Sequence, residues 1–211
     1  MEKSETVEVL AMLNRLRSIM NSGSVLGYFL QAVPIVCVVG ILYGIVRVRA
    51  AKRGKGERGI MKLLFACYLA GLISLVVLPA NFWLRFFDGV FFGWWEEMFP
   101  IFRFGGFHLT PSLLKVLSGE LVLGSWVKTM LVGNVVMFMP FGFFLPFVTE
   151  KFNGKNIFAI AAAVPVAVEL LQTVFDRSFD VDDLICNFIG IVAGFFIGFA
   201  IKTMRQKRAE R

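Results

Sequence analysis

Charge is scarce in this chain of 211 residues. Only 18% of it is charged and 57% is hydrophobic, with a mean hydropathy of +0.74. A soluble domain is nearer a quarter charged and under half apolar. That excludes an ordinary soluble fold and points to a single membrane domain. Histidine is nearly absent: the one copy is His108, which leaves no serine–histidine pair and no zinc ligand set to expect. Cysteine is sparse too. Cys37, Cys67 and Cys186 lie in or beside apolar runs without metal or disulfide spacing, so they are expected to be small buried hydrophobes. The first 24 residues lack an early apolar core and carry Glu2, Glu5 and Glu8, so no cleavable signal peptide is expected there.

Long apolar runs are what the chain does have. A spanning helix needs about 20 mainly apolar residues. Five stretches qualify, at about Leu26–Val48, Leu63–Trp83, Trp126–Val148, Ile157–Phe175 and Leu184–Ile201. The expected fold is all-α: a polytopic membrane helix bundle of about five spans. Residues 1–25 form a separate amphipathic interfacial segment, with Val9, Leu13, Leu16 and Met20 at helical spacing. Residues 26–211 form the membrane domain. The segment 84–125 is rich in Phe and Trp yet holds Asp88, Glu96, Glu97 and Arg103. Aromatics belong at the interface, so an interfacial or re-entrant path is expected in preference to a plain external loop. A short amphipathic helix is expected near Pro111–Leu123.

The basic residues set the expected orientation. Arg47, Arg49, Lys52, Arg53, Lys55, Arg58 and Lys62 lie between the first two runs. Lys151 and Lys155 lie between the third and fourth, and Lys202, Arg205, Lys207, Arg208 and Arg211 follow the fifth. Together they are 14 of the 22 lysines and arginines. All three groups fall on one side of a five-span arrangement, which places that side in the cytoplasm, the N-terminus outside and the C-terminus inside. The net charge of +7 then serves as an orientation signal and an attraction to anionic lipid. Nucleic acid is not an expected partner.

One stretch breaks the apolar pattern. "VELLQTVFDRSFDVDDLICN", residues 168–187, holds Glu169, Asp176, Arg177, Asp180, Asp182 and Asp183. Glu169 and Gln172 are three apart, and Asp183 and Asn187 four apart, so each pair shares one helix face. Asn134 falls at a similar depth on the third run. Lipid offers such groups no partner, so they are expected to face one another inside the bundle near its outer end. Arg177, Asp180 and Asp182 would cap them from the loop. Pro140 removes a helix bond and frees the carbonyl of Val136, and Pro165 interrupts the fourth helix one turn before Glu169. Gly190, Gly194 and Gly198 form a small-residue ridge for close helix packing.

"NVVMFMPFGFFLP" followed by "ELLQTVFDRSFDVDDLICNFIGIVAG" resembles the VanZ-like family of bacterial membrane proteins. The family pattern falls on Asn134, Phe138, Pro140 and Gly142. It continues on Glu169, Gln172, Arg177, Ser178, Asp180, Asp182, Asp183, Asn187 and Gly190. Every position of it is filled, and the resemblance covers residues 126–200 most strongly. It implies a multi-pass cell-membrane protein associated with low-level resistance to teicoplanin, a lipidated glycopeptide, at the bacterial envelope.

Three functions are compatible with the polar cluster. In the first, an outward-facing pocket binds a membrane lipid or a lipidated glycopeptide through Asn134, Gln172, Arg177, Asp180, Asp182, Asp183 and Asn187. In the second, the chain is a membrane enzyme acting on a lipid headgroup or cell-wall precursor. Glu169 is then the catalytic general base and Arg177 a phosphate clamp. Asp180, Asp182 and Asp183 are the only candidate ligands for a divalent cation, and no other cofactor is expected. In the third, the cluster merely locks helices, with Arg177 paired to an aspartate. The sequence leaves the oligomeric state open.

Overall fold

Gly190, Gly194 and Gly198 fall on one stripe of the last helix, and the fold is built along that stripe. The computed structural model describes residues 2–22, 24–51, 59–79, 81–98, 100–119, 124–149, 154 and 156–209. Lys52, Arg53, Lys55, Arg58, Lys151, Lys155 and Arg211 lie outside the described residues. The helices are α1 (Glu2–Met20), α2 (Val25–Ala51), α3 (Gly59–Val76), α4 (Phe82–Phe92), α5 (Ser112–Leu117), α6 (Ser125–Val148), α7 (Ile157–Thr173) and α8 (Val181–Ala209). Two very short strands, β1 (Phe107–His108) and β2 (Phe179–Asp180), pair in parallel. The expected all-α membrane bundle is what forms. Helices α2, α6 and α8 are long and apolar enough to cross a bilayer, and α3 and α7 are shorter apolar helices beside them.

The α6–α8 seam is closely packed along its whole length. A Cβ at position 190, 194 or 198 would run into the backbone of Val135, Met139 or Phe143 of α6, and one at Gly142 into that of Ile191. Only the absence of side chains lets the two backbones meet, as in other close membrane helix pairs. Phe138, Ile191 and Phe195 fill the remaining space. They join Leu72, Leu75 and Val76 of α3, Leu145 of α6, and Ile157 and Ala161 of α7 in one buried core. The outside is apolar as well: Ile41, Val46, Leu170, Ile189 and Phe199 are exposed, as a lipid-facing surface requires.

The second apolar run departs from expectation. Its helix ends at Val76, well short of Trp83. Pro79 disfavours helical backbone before it, and Asn81 takes a left-handed conformation with φ 60°. Trp83 therefore begins a new helix, α4. That helix closes on Gly93, left-handed at φ 76°, whose N–H is donated back to the Asp88 and Gly89 carbonyls. The aromatic segment then continues through a 3₁₀ turn (Trp95–Met98) and an extended strap at 103–108 that lies along the α7–α8 connection. The expected helix near 111–123 forms as α5; residues 120–123 are outside the described set.

Helix α1 holds α4 through charge. Arg17 donates Nε and Nη2 to the two carboxylate oxygens of the buried Asp88, at 2.7 and 3.0 Å. Its guanidinium also lies 5.0 Å from the Trp94 ring centroid. Of the predicted apolar face, Val9 and Leu16 are exposed, while Leu13, Arg17 and Met20 are half-buried. The cysteines also differ from expectation: Cys186 is buried, but Cys67 is only half-buried and Cys37 is exposed on α2.

Candidate functional site

Helix α7 delivers two polar side chains to the core one turn apart. Glu169 is fully buried and Gln172 nearly so. Gln172 donates Nε2 to the Val76 carbonyl at 2.9 Å. This satisfies one of the carbonyls orphaned at the end of α3. Glu169 accepts the backbone N–H of Asp180 on Oε2 at 2.9 Å. Its Oε1 is buried and has no hydrogen-bond partner among the described residues, and the same holds for Oδ1 of Asn187, one helix over on α8.

The loop between α7 and α8 is pinned from both sides. Asp176 turns the chain with φ 61°, a left-handed conformation that Asp tolerates better than most residues. The 103–108 strap supplies a short ladder: Gly105 N–H to the Thr173 carbonyl (2.8 Å), Asp176 N–H to Arg103 (2.6 Å) and Phe179 N–H to Gly106 (2.9 Å). Gly105 must be glycine, because a Cβ there would overlap the Arg177 backbone. Arg177 donates Nη1 to the Leu75 carbonyl at 3.2 Å. The expected pairing of Arg177 with an aspartate is replaced, among the described residues, by this bond to the C-terminal turn of α3. A cation is favourable there because that helix end is electronegative.

The three aspartates take three separate tasks. Asp180 stands just before α8 and accepts the Asp182 N–H at 2.8 Å, an N-terminal cap. Asp182 accepts the Ser112 N–H on both oxygens, at 3.0 and 2.8 Å, and so holds α5. Asp183 bonds the Asn134 amide of α6. Among the described residues no group of three or more His, Cys, Asp or Glu side chains is arranged to hold a metal ion.

Next to this network lies a cavity of about 380 Å³. Gln172, Arg177, Asp180 and Asp183 line it, joined by Gln31 of α2, Ser74 of α3, Asn81 and Trp83. Gln31 donates to Asn81 Oδ1 at 3.4 Å, and the Trp83 indole donates to Ser74 Oγ. Asn134, Glu169, Asp182 and Asn187 are not on the lining. They stand behind it, through the Asn134–Asp183, Glu169–Asp180 and Asp182–Asp180 bonds in three of the four cases.

Sequence reasoning missed Gln31, Ser74, Asn81 and His108. The parallel register sets His108 opposite Asp180, with Nδ1 3.8 Å from a carboxylate oxygen. Gln31 carried a faint signal as the one amide inside the first apolar run. The others are ordinary residues at a bundle end and become polar walls only by folding.

Trp83 has a second face. It also lines an apolar groove of about 340 Å³ with Leu16 and Met20 of α1, Leu30 and Val33 of α2, and Phe86, Phe87 and Phe91 of α4. A polar cavity and an apolar groove thus share one wall.

Comparison with known proteins gives one result. Residues 65–202 match the VanZ/LLP1 family. That is wider than the 126–200 core carrying the sequence pattern, for it takes in most of α3, the aromatic segment and the strap. No curated protein and no solved structure matches the chain. Matched over well more than half its length, the chain belongs to the VanZ/LLP1 family.

Proposed function

We propose that this chain is a multi-pass cell-membrane protein whose polar cavity opens at the outer face and takes the polar part of a lipid-linked or lipidated molecule. Its envelope role is then low-level resistance to teicoplanin and related lipoglycopeptides. The observation that carries this reading is the shared Trp83 wall. An amphipathic ligand needs hydrogen-bonding groups for its head and hydrocarbon-like surface for its tail, and the two volumes meet at that indole. The outward orientation rests on charge. The described ends at Arg47, Arg49, Lys202, Arg205, Lys207 and Arg208 are basic, whereas the cavity end carries Asp180, Asp182 and Asp183. In this reading Gln172, Arg177, Asp180 and Asp183 meet the ligand. Asn134, Glu169 and Asp182 position them, and Asn187 completes the buried layer behind. The N-terminus is outside and the C-terminus cytoplasmic.

The test compares wild type with Asp183→Asn and Arg177→Gln in a sensitive Gram-positive host, at equal membrane levels. Wild type is expected to raise the inhibitory concentration of teicoplanin and leave that of vancomycin unchanged, and both variants to lose the protection. Absence of any protection by wild type overturns the resistance role.

One observation favours a second reading. Glu169 keeps a buried oxygen with no partner among the described residues, an unusual state for a buried polar atom and one suited to a general base on a lipid headgroup or cell-wall precursor. An altered headgroup in lipid extracts of expressing cells, absent with Glu169→Gln, is the result that establishes it.

A further inference from the structure

The opposite end of the bundle holds a larger cavity, of about 830 Å³, between the start of α3 and the ends of α6 and α8. Lys62, Lys202 and Arg205 line it, and among the described residues no carboxylate does. Lys202 and Arg205 are three apart on α8 and so share a face. Lys202 gives one of its three N–H donors to the Pro146 carbonyl at 2.6 Å, which fixes the ammonium at the cavity wall. Among the described residues none of the three cations is in a salt bridge.

Three like charges lining one cavity beside apolar side chains such as Met61 and Phe147 repel one another. An anion placed among them relieves it. A lone inorganic phosphate is small for such a volume, which lies within the range of sites for whole organic ligands. Cations set against apolar walls at a bundle end also match the level at which a leaflet carries its phosphates. We propose that this cavity is a binding site for the phosphate-bearing headgroup of an anionic phospholipid. The site is independent of the polar cavity at the other end and of the function proposed for it.

The full chain, purified in a zwitterionic detergent, is titrated with phosphatidylglycerol, phosphatidylcholine or inorganic phosphate while its unfolding temperature is followed. Phosphatidylglycerol is expected to raise that temperature and phosphatidylcholine to leave it unchanged. Lys62→Gln combined with Arg205→Gln should shift the half-effect concentration at least ~10-fold upward. Lys207→Gln with Arg208→Gln, which follow the last lining residue of α8 and are not on the lining, should shift it less than ~2-fold. Should the first double variant fail to fold, Arg205→Gln alone, at an exposed position, gives the same comparison. An equal effect of inorganic phosphate identifies the source as free phosphate and keeps the site. No effect of phosphatidylglycerol beyond phosphatidylcholine overturns the proposal. So does an equal loss in the Lys207/Arg208 control, which would mean general surface attraction.

Discussion

Two buried carboxyl side chains in this molecule are treated in opposite ways. Asp88 in α4 is 2% exposed and Glu169 in α7 is 0% exposed. Asp88 receives a bidentate guanidinium from Arg17 and is fully matched in charge and geometry. Glu169 receives one backbone N–H, and its other oxygen has no partner among the described residues. Equal burial therefore does not mean equal role. The matched carboxylate is a clamp that joins α1 to α4. The unmatched one is held where helix packing alone would not need it, because the α6–α8 seam already packs through glycine. An ionisable group left incomplete at membrane depth is better understood as serving a ligand site than as serving stability.

The largest effect should come from breaking the clamp. Arg17→Ala strands Asp88 without a counter-charge, and removing one partner of a buried pair costs about 3–5 kcal/mol. The expected result is release of α1 from α4, seen as rapid protease cleavage near residue 21 in detergent or nanodiscs while the α6–α8 core persists. The pair Arg17→Met and Asp88→Leu should restore the docking, because an apolar replacement of a buried pair is often neutral or better. If Arg17→Ala cleaves no faster than wild type, Asp88 is not carried by this arginine and the contrast with Glu169 loses its first half.

A smaller effect is expected at the site's outer rim. Asp182 is satisfied by both its bonds to the Ser112 N–H. Asp182→Ala removes a helix-start acceptor, a change of about 1 kcal/mol. That should loosen α5 locally. Hydrogen exchange should rise across 112–117 and stay constant across α7. Faster exchange in α7 would place Asp182 inside the Glu169 network rather than beside it.

Much of this was legible in the sequence, and the boundary between what was and was not is physical. Glu169 with Gln172, and Asp183 with Asn187, are local pairs, and helix geometry alone assigns each to one face. The apolar runs gave α2, α6, α7 and α8 to within a few residues, apart from the polar C-terminal tail of α8, because burial in lipid demands continuous hydrophobicity. The end of α3 was misjudged because apolar residues continue past Pro79 into α4, so hydropathy sees no break where the backbone makes one. Arg17 and Asp88 are 71 residues apart. Arg17 looks like part of a solvated face, and nothing in either neighbourhood marks them as partners. His108 is a lone histidine with no motif around it, yet a parallel pairing of four residues brings it beside Asp180. Such register is fixed by tertiary packing and is silent in composition.

The smallest effect on stability, and the most telling, should be that of Glu169→Gln. The amide oxygen can still accept the Asp180 N–H, the volume is nearly unchanged, and the atom replaced has no partner among the described residues to lose. A change within about 1 kcal/mol is expected, which for a chain of this size is about 2–4 °C in unfolding temperature. Glu169→Ala, by contrast, strands the Asp180 N–H and opens a void, and should cost about 1–3 kcal/mol more than the amide. Protection against teicoplanin should be kept in the amide variant where Glu169 acts only by holding the Asp180 N–H; its loss at normal membrane levels would instead favour the general-base reading. If Glu169→Gln lowers membrane levels as far as Arg17→Ala does, Glu169 is a second clamp and the cluster is a helix lock. If it folds and protects like wild type, the spare oxygen serves nothing, and the ligand contacts rest with Gln172, Arg177, Asp180 and Asp183 alone.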